Sequence, residues 1–85
     1  MSNKRRSDIE ISADILKVAM NGAKKSHIVY KANLNFDVVK RYLKRLSEAG
    51  LIKLPSMENR LFQTTRKGKE YIQRYENLDN YMKVQ

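Results

Sequence analysis

Eighty-five residues carry 18 Lys+Arg against nine Asp+Glu, a formal charge of +9, with no cysteine and one histidine. A chain this short forms one small domain whose core covers only about 60–65% of the surface the unfolded chain exposes. The absence of cysteine excludes a disulfide staple and a thiolate metal site, and a lone His27 excludes a histidine-rich one, so oligomerisation is the stabilising device that remains.

No run approaches the ~18 apolar residues of a membrane span, and the charged start lacks the apolar core of a secretory signal. The expected setting is the cytoplasm, with no membrane partner. Excess positive charge speaks about partners rather than fold. Nucleic acid ranks first among them, because neutralising phosphates releases condensed counterions.

Residues 1–6, Met-Ser-Asn-Lys-Arg-Arg, read as a flexible basic arm. Its Lys4, Arg5 and Arg6 suit either a minor groove or plain solubility. Ser7-Asp8-Ile9-Glu10 fits a capping box, in which hydroxyl and carboxylate each take the other residue's amide. Behind it Ile9, Ala13, Leu16 and Met20 share one helical face, and Ile11, Ile15 and Val18 form a second beside it. A stripe that wide predicts a helix buried on more than one side. Asn21-Gly22 ends it, with glycine suited to the left-handed position.

Ala23-Lys24-Lys25 is a short connector with room for one extended bridge. Ser26 is the expected cap of a short second helix through about Ala32, with Ile28 and Val29 inward. Asn33-Leu34-Asn35 is a tight link, and Asn35 is positioned to cap a third helix beginning at Phe36. In that helix Val39, Leu43 and Leu46 recur at helical spacing with Tyr42 beside them, and Gly50 ends it. Then the period changes. Leu51-Ile52-Lys53-Leu54 and Leu61-Phe62-Gln63-Thr64 are short β-type runs joined by a turn-rich loop, Pro55 to Arg60, and together predict a hairpin. Thr65 is the expected cap of a last helix running nearly to Gln85. Along it Tyr71, Tyr75, Leu78 and Met82 step by four, three and four residues, an a/d seam of roughly two heptads. Gly68 is expected to let this helix approach a neighbour closely.

Two helices across a three-residue link, followed directly by a hairpin, are the order of a helix-turn-helix with a wing. The predicted fold is therefore mostly α with a small β-hairpin. It divides into the arm 1–6, a winged helix-turn-helix DNA-binding domain over 7–64, and a C-terminal dimerisation helix over 65–85. The third helix is the expected reader of a major groove. Its candidate contacts are Asn35, Asp37, Val38 and Arg41 toward base edges, and Lys40, Lys44 and Arg45 toward phosphates. Arg41 suits guanine; Asn35 suits adenine or its own helix cap; Asp37 suits a cytosine amine or the orientation of Arg41. The span Lys24 to Arg45 holds seven cations and one carboxylate, which argues against a merely solvated face. Lys53 and Arg60 flank the hairpin loop, where a wing meets the DNA backbone and where solubility charges also sit. Arg66 and Lys67 oppose the dipole at the start of the last helix, a hint of a phosphate partner.

Tyr30 and Tyr42 read as partly buried packing residues with a wet hydroxyl. Tyr71, Tyr75 and Tyr81 read as packing a helix interface. No nucleophile, paired acid and base or glycine-rich phosphate loop is present, so an enzyme, a cofactor and a small-molecule substrate are not expected. The alternatives to duplex DNA are a protein-interaction module on the same scaffold and an RNA-binding protein.

From Ser7 to about Leu78 the sequence resembles the archaeal winged helix-turn-helix domains of the small basic Sulfolobus chromatin-associated type. The resemblance rests on Asp14-Ile15-Leu16, on the run Asn21-Gly22-Ala23-Lys24-Lys25-Ser26-His27-Ile28-Val29-Tyr30-Lys31-Ala32-Asn33-Leu34, on Tyr42-Leu43 and Gly50-Leu51-Ile52, and on Thr64-Thr65-Arg66-Lys67-Gly68-Lys69-Glu70. It implies a homodimer through antiparallel pairing of the C-terminal helices, with Tyr71, Tyr75, Leu78 and Met82 in the interface. It also implies recognition of DNA by the helix at Phe36–Ala49 and phosphate contacts from the hairpin. The expected function is that of a DNA-binding homodimer, either a transcription regulator or a nucleoid protein.

Overall fold

The C-terminal ends of the first three helices of this protein are closed by side chains from distant parts of the chain, and those bonds help assemble the fold. The computed structural model describes residues 6–83; Lys4 and Arg5 of the expected arm lie outside the described residues. Helix α1 (Asp8–Val18) begins where Ser7 Oγ accepts from the Glu10 amide at 3.1 Å. The Glu10 side chain does not return the bond, so only half of the expected capping box forms. The chain leaves α1 through Ala19 and a turn to Gly22, whose φ of +92° is the left-handed backbone expected there. The last carbonyls of α1, orphaned as at any helix end, are filled from the hairpin. Thr64 Oγ1 donates to Leu16 O at 2.6 Å, the Thr64 amide to Ala19 O at 3.0 Å, and Gln63 Nε2 to Met20 O at 2.5 Å.

Helix α2 (Lys25–Ala32) departs from the expected cap. Lys24, not Ser26, is its N-cap, and no side chain closes it. The reason lies one residue earlier. Ala23 exchanges two backbone hydrogen bonds with Phe62, at 3.0 and 2.9 Å, and this extended bridge carries through Lys24 straight into the helix. Strand pairing therefore sets the entry angle that a serine cap was expected to set. Asn33 takes a left-handed conformation (φ 57°) after α2, and Asn35 Oδ1 accepts from the Val38 amide at 2.8 Å to start α3 (Phe36–Glu48).

Strands β1 (Ile52–Lys53) and β2 (Gln63–Thr64) pair antiparallel with Ile52 opposite Thr64 and Lys53 opposite Gln63. With the Ala23–Phe62 bridge on its other side, the β2 segment is the middle of a minimal three-stranded wing. Both strands are shorter than the four-residue runs of the sequence. Pro55 cannot donate to a ladder, and the loop closes on itself instead, Ser56 N donating to Asn59 O at 2.7 Å and Asn59 N to Ser56 Oγ at 3.1 Å.

Helix α4 (Arg66–Lys83) starts with Thr65 Oγ1 accepting from the Gly68 amide at 3.1 Å. Its first turn is bolted to the end of α3. Thr65 Oγ1 donates to Gly50 O and Lys67 Nζ to Ala49 O, both at 2.8 Å. Gly68 is where α4 crosses the wing. A Cβ there would lie 2.2 Å from Leu51 O and 2.6 Å from Thr64 Cγ2, so the close approach expected of this glycine is real.

The core lies between α1, α3 and the wing, with Ile15, Leu16, Ile28 and Val39 fully buried and Ala13, Leu43, Leu46, Ile52, Phe62 and Ile72 around them. Three expectations shift. Ile9, assigned to the inward face of α1, is exposed. Tyr30 is 82% exposed, whereas Tyr42 is buried. Along α4 the residue that enters the core is Ile72, which lies outside the tyrosine seam.

Candidate nucleic-acid interface

Helix α3 is amphipathic by construction. Val39, Tyr42, Leu43 and Leu46 are buried, so the opposite face is forced outward and carries Asp37, Lys40, Arg41, Lys44 and Arg45, all exposed. Val38 is half-buried against the core and Asn35 is exposed at the N-cap. Lys53 on β1 and Arg60 in the hairpin loop are exposed as well. Among the described residues Asp37, Lys40, Arg41, Lys44, Lys53 and Arg60 make no ion pair and no side-chain hydrogen bond. Asp37 thus does not orient Arg41, one of the two roles expected of it.

Arg45 is different. Its guanidinium lies 5.2 Å from the centre of the Tyr42 ring, and its Nη2 stands 3.9 Å from Asp8 Oδ2. It leans toward α1, away from the centre of the exposed face. Asp8 also accepts the Tyr42 hydroxyl, and that bond, with burial, raises the phenol above its ordinary pKa. Asp8, Tyr42 and Arg45 form a cluster that the sequence does not announce, because the partners stand far apart in the chain.

Two further cations have structural work. Lys67 donates to the carbonyl of Ala49, the C-cap of α3, which accounts for its place at the unfavourable end of α4: there it meets the negative end of the α3 dipole. Arg6, assigned to the arm, is fixed. Its Nη2 pairs with Asp14 Oδ2 at 2.6 Å and its Nη1 donates to Ala32 O at 2.9 Å, closing the C-terminus of α2. The sequence reading also passed over Lys25. It stands at the first turn of α2, where it lines one cleft together with Lys40 and Lys44. The signal for it was the cation density of the stretch, which does not say which lysines converge.

Along α4, Tyr71 and Tyr75 are half-buried against α1. The Tyr71 hydroxyl reaches Ile9 O at 3.4 Å, and Lys17 Nζ lies 5.6 Å from the Tyr75 ring centre while pairing with Glu76 at 3.1 Å. Farther along α4, Leu78, Tyr81 and Met82 are 60, 70 and 63% exposed. Ile9, Tyr71, Tyr75 and Leu78 line a shallow apolar groove of about 250 Å³. The expected seam is thus divided: its first half packs on its own domain, and its second half faces outward.

Among the described residues no cluster of three His, Cys, Asp or Glu is placed to hold a metal ion, and no helix is long and apolar enough to cross a membrane.

Residues 5–83 match the sequence profile of a family described as winged helix-turn-helix. No curated protein sequence matches the chain. Among solved structures it is similar to Sso10a-2, a DNA-binding protein from Sulfolobus solfataricus, with a TM-score of 0.80 and 23% identity over 93% of this chain and 84% of that one. It is also similar to ZitR of Lactococcus lactis, a zinc-responsive MarR family member. In one structure of that protein the TM-score is 0.66 at 23% identity, covering 99% of this chain and 66% of ZitR. In another it is 0.61 at 18% identity, covering 98% and 63%. At these identities the likeness is one of fold.

Proposed function

This chain belongs to the winged helix-turn-helix family, and on that premise we propose that it binds double-stranded DNA as a homodimer, in transcription regulation or as a nucleoid protein. The observation that carries the reading is the outward face of α3. Lys40, Arg41 and Lys44 stand exposed without internal partners, while the other face of the same helix is locked into the core. Cations left free on a rigid helix face await an anion of matching spacing, and duplex phosphates are such an anion.

In this reading α3 enters the major groove. Arg41 pairs with guanine, Asp37 accepts from a cytosine amine, and Val38 and Asn35 stand at the start of the helix, where base edges lie nearest. Lys40 and Lys44 hold phosphates on one flank, and Arg45 holds one on the other once it leaves Asp8. Lys53 and Arg60 bring the hairpin to the backbone of the adjacent strand. Phe36, 55% exposed at the first position of α3, adds an apolar contact suited to a thymine methyl.

The second half of the seam supports the dimer. Leu78 and Met82 continue the line of Tyr71 and Tyr75 beyond the domain's own core, and Ile9 widens the apolar strip. Antiparallel pairing of two α4 helices covers these residues and presents two α3 helices to one duplex.

The test is a titration of labelled duplex DNA at several salt concentrations, with a structured RNA as competitor. If a dimer contacts about 6–10 phosphates, log affinity falls against log salt with a slope of roughly −5 to −9. A slope near zero, or preference for the RNA, overturns the reading. Affinity that survives salt on a few sequences marks a regulator; affinity without sequence preference marks a nucleoid protein.

A further inference from the structure

Val38, Arg41 and Arg45 recur at steps of three and four residues along α3, the spacing that stacks side chains in one row of a helix. The two arginines of that row stand about one turn apart and are both exposed, yet they are held differently. Among the described residues Arg41 makes no ion pair. Arg45 is engaged on two sides: its guanidinium lies 5.2 Å from the centre of the Tyr42 ring, and its Nη2 stands 3.9 Å from Asp8 Oδ2. Asp8 is held in its turn. Its Oδ1 accepts the Tyr42 hydroxyl at 2.5 Å, which fixes the carboxylate and leaves Oδ2 as the oxygen nearest Arg45.

A carboxylate beside a cation on a phosphate-binding face competes with the phosphate. Asp8 has a local reason to be acidic, since it sits in the first turn of α1, where negative charge complements the helix dipole. The dipole alone does not aim it at α3; the Tyr42 bond does. Asp8 is 71% and Arg45 63% exposed, so water screens the pair, and pairs of this kind hold weakly. Such a contact biases Arg45 without locking it. A duplex phosphate, which also gains from counterion release, can take the guanidinium over. The gain at that phosphate is then smaller by whatever the Asp8 contact contributed.

We propose that Asp8 is an internal competitor for Arg45: a positioning residue on α1 that draws the guanidinium away from the phosphate backbone and so lowers the affinity of the protein for duplex DNA. The inference rests on the DNA reading above and names the group that tunes it. Arg41, about one turn earlier in the same row, has no such competitor. The row therefore carries one contact that is always available and one that must first be released from α1.

The experiment is a double-mutant cycle on the full chain. Wild type, Asp8→Asn, Arg45→Ala and the double variant are each titrated against the same labelled duplex at one salt concentration. Asparagine keeps an acceptor for the Tyr42 hydroxyl and removes only the charge. Asp8→Asn should tighten DNA binding by about threefold for each protomer, or about tenfold for a dimer with both domains on one duplex, the size of an exposed ion pair. In the Arg45→Ala background the same substitution should gain at most about threefold for the dimer, the part due to general charge. A purely structural role for Asp8 predicts the opposite sign, because losing the acid at the start of α1 weakens the fold; thermal unfolding of the same samples reads that effect separately. Unchanged or weaker binding by Asp8→Asn overturns the proposal. An equal gain with and without Arg45 also overturns it, since Asp8 would then be one more negative charge and no more. A wild-type chain that binds no duplex overturns the DNA reading itself, and the proposal with it.

Discussion

The Tyr42 hydroxyl donates to Asp8 Oδ1 across 2.5 Å, joining residues 34 positions apart and fixing the middle of α3 to the first turn of α1. Tyr42 is buried and Asp8 is open to water, so removing the hydroxyl strands no charge. Tyr42→Phe should therefore cost only about 1 kcal/mol, seen as a fall of roughly 4–8 °C in Tm for a domain of this size. The pH dependence carries a sign. The bond to Asp8 and burial raise the Tyr42 phenol in the folded state. A group raised on folding contributes stability that is fully present below its unfolded pKa, about 10, and is lost as pH climbs through the folded value. The gap in unfolding free energy between wild type and Tyr42→Phe should hold steady at neutral pH and narrow above about pH 10. Urea titrations of both proteins across that range check it, and a gap that widens there contradicts the assignment.

Gly68 makes a sharper prediction because two effects oppose each other. Alanine in place of a helical glycine gains about 1 kcal/mol of helix propensity. Here the new Cβ would meet the backbone oxygen of Leu51 at 2.2 Å, and a backbone atom yields far less readily than the end of a side chain. Overpacking of this kind costs typically 1–3 kcal/mol and occasionally more. Gly68→Ala should lose about 2 kcal/mol net, read as a lower urea midpoint at unchanged slope. A variant as stable as wild type would mean that α4 does not cross the wing this closely.

The order of elements was legible because most boundaries had a local chemical cause: Ser7, Asn35 and Thr65 as caps, Gly22 and Gly50 as stops, and a change of hydrophobic period at Leu51. Those causes act within four residues. What the sequence concealed acts at longer range. Arg6 reaches Ala32, Lys67 reaches Ala49, and Arg45 leans to Asp8, so three cations counted toward an anionic partner have partners inside the molecule. The start of α2 was misplaced for the same reason, since the bridge from Ala23 to Phe62 governs it from outside the segment. Along α4 the heptad spacing of Tyr71 and Tyr75 is real. A regular stripe does not say whether its partner is the same domain or a second copy, and here α1 takes the first half.

Asn35 holds two roles that a substitution separates. Its Oδ1 is committed to the Val38 amide, so a bidentate pairing with adenine would compete with the helix cap. Asn35→Ala should lose about 1 kcal/mol of stability. Asn35→Ser keeps a cap acceptor and deletes the amide donor. It should leave stability within about 0.5 kcal/mol and DNA affinity within about twofold, below the 1–3 kcal/mol of a lost base pairing. Thermal unfolding and a duplex titration on the same samples decide the matter. A tenfold loss of affinity in the serine variant would mean that Asn35 reads a base as well as capping its helix.

Leu78 and Met82 test the dimer without endangering the domain, because both side chains are largely in water in the single chain. Glutamate at each position is therefore tolerated by the monomer but sets charge inside an antiparallel α4 pair, where the penalty for an unpaired buried charge is several kcal/mol. Leu78→Glu with Met82→Glu should shift the monomer–dimer equilibrium by at least about a hundredfold, measured by sedimentation equilibrium, while circular dichroism stays that of the wild type. DNA affinity should fall along with it. Two winged domains on one duplex gain from effective concentration, a gain that can reach 10²–10⁴ and vanishes when the link is cut. If the double variant still sediments as a dimer, the pairing surface lies elsewhere, and the half-buried tyrosines serve only the packing of α4 on α1.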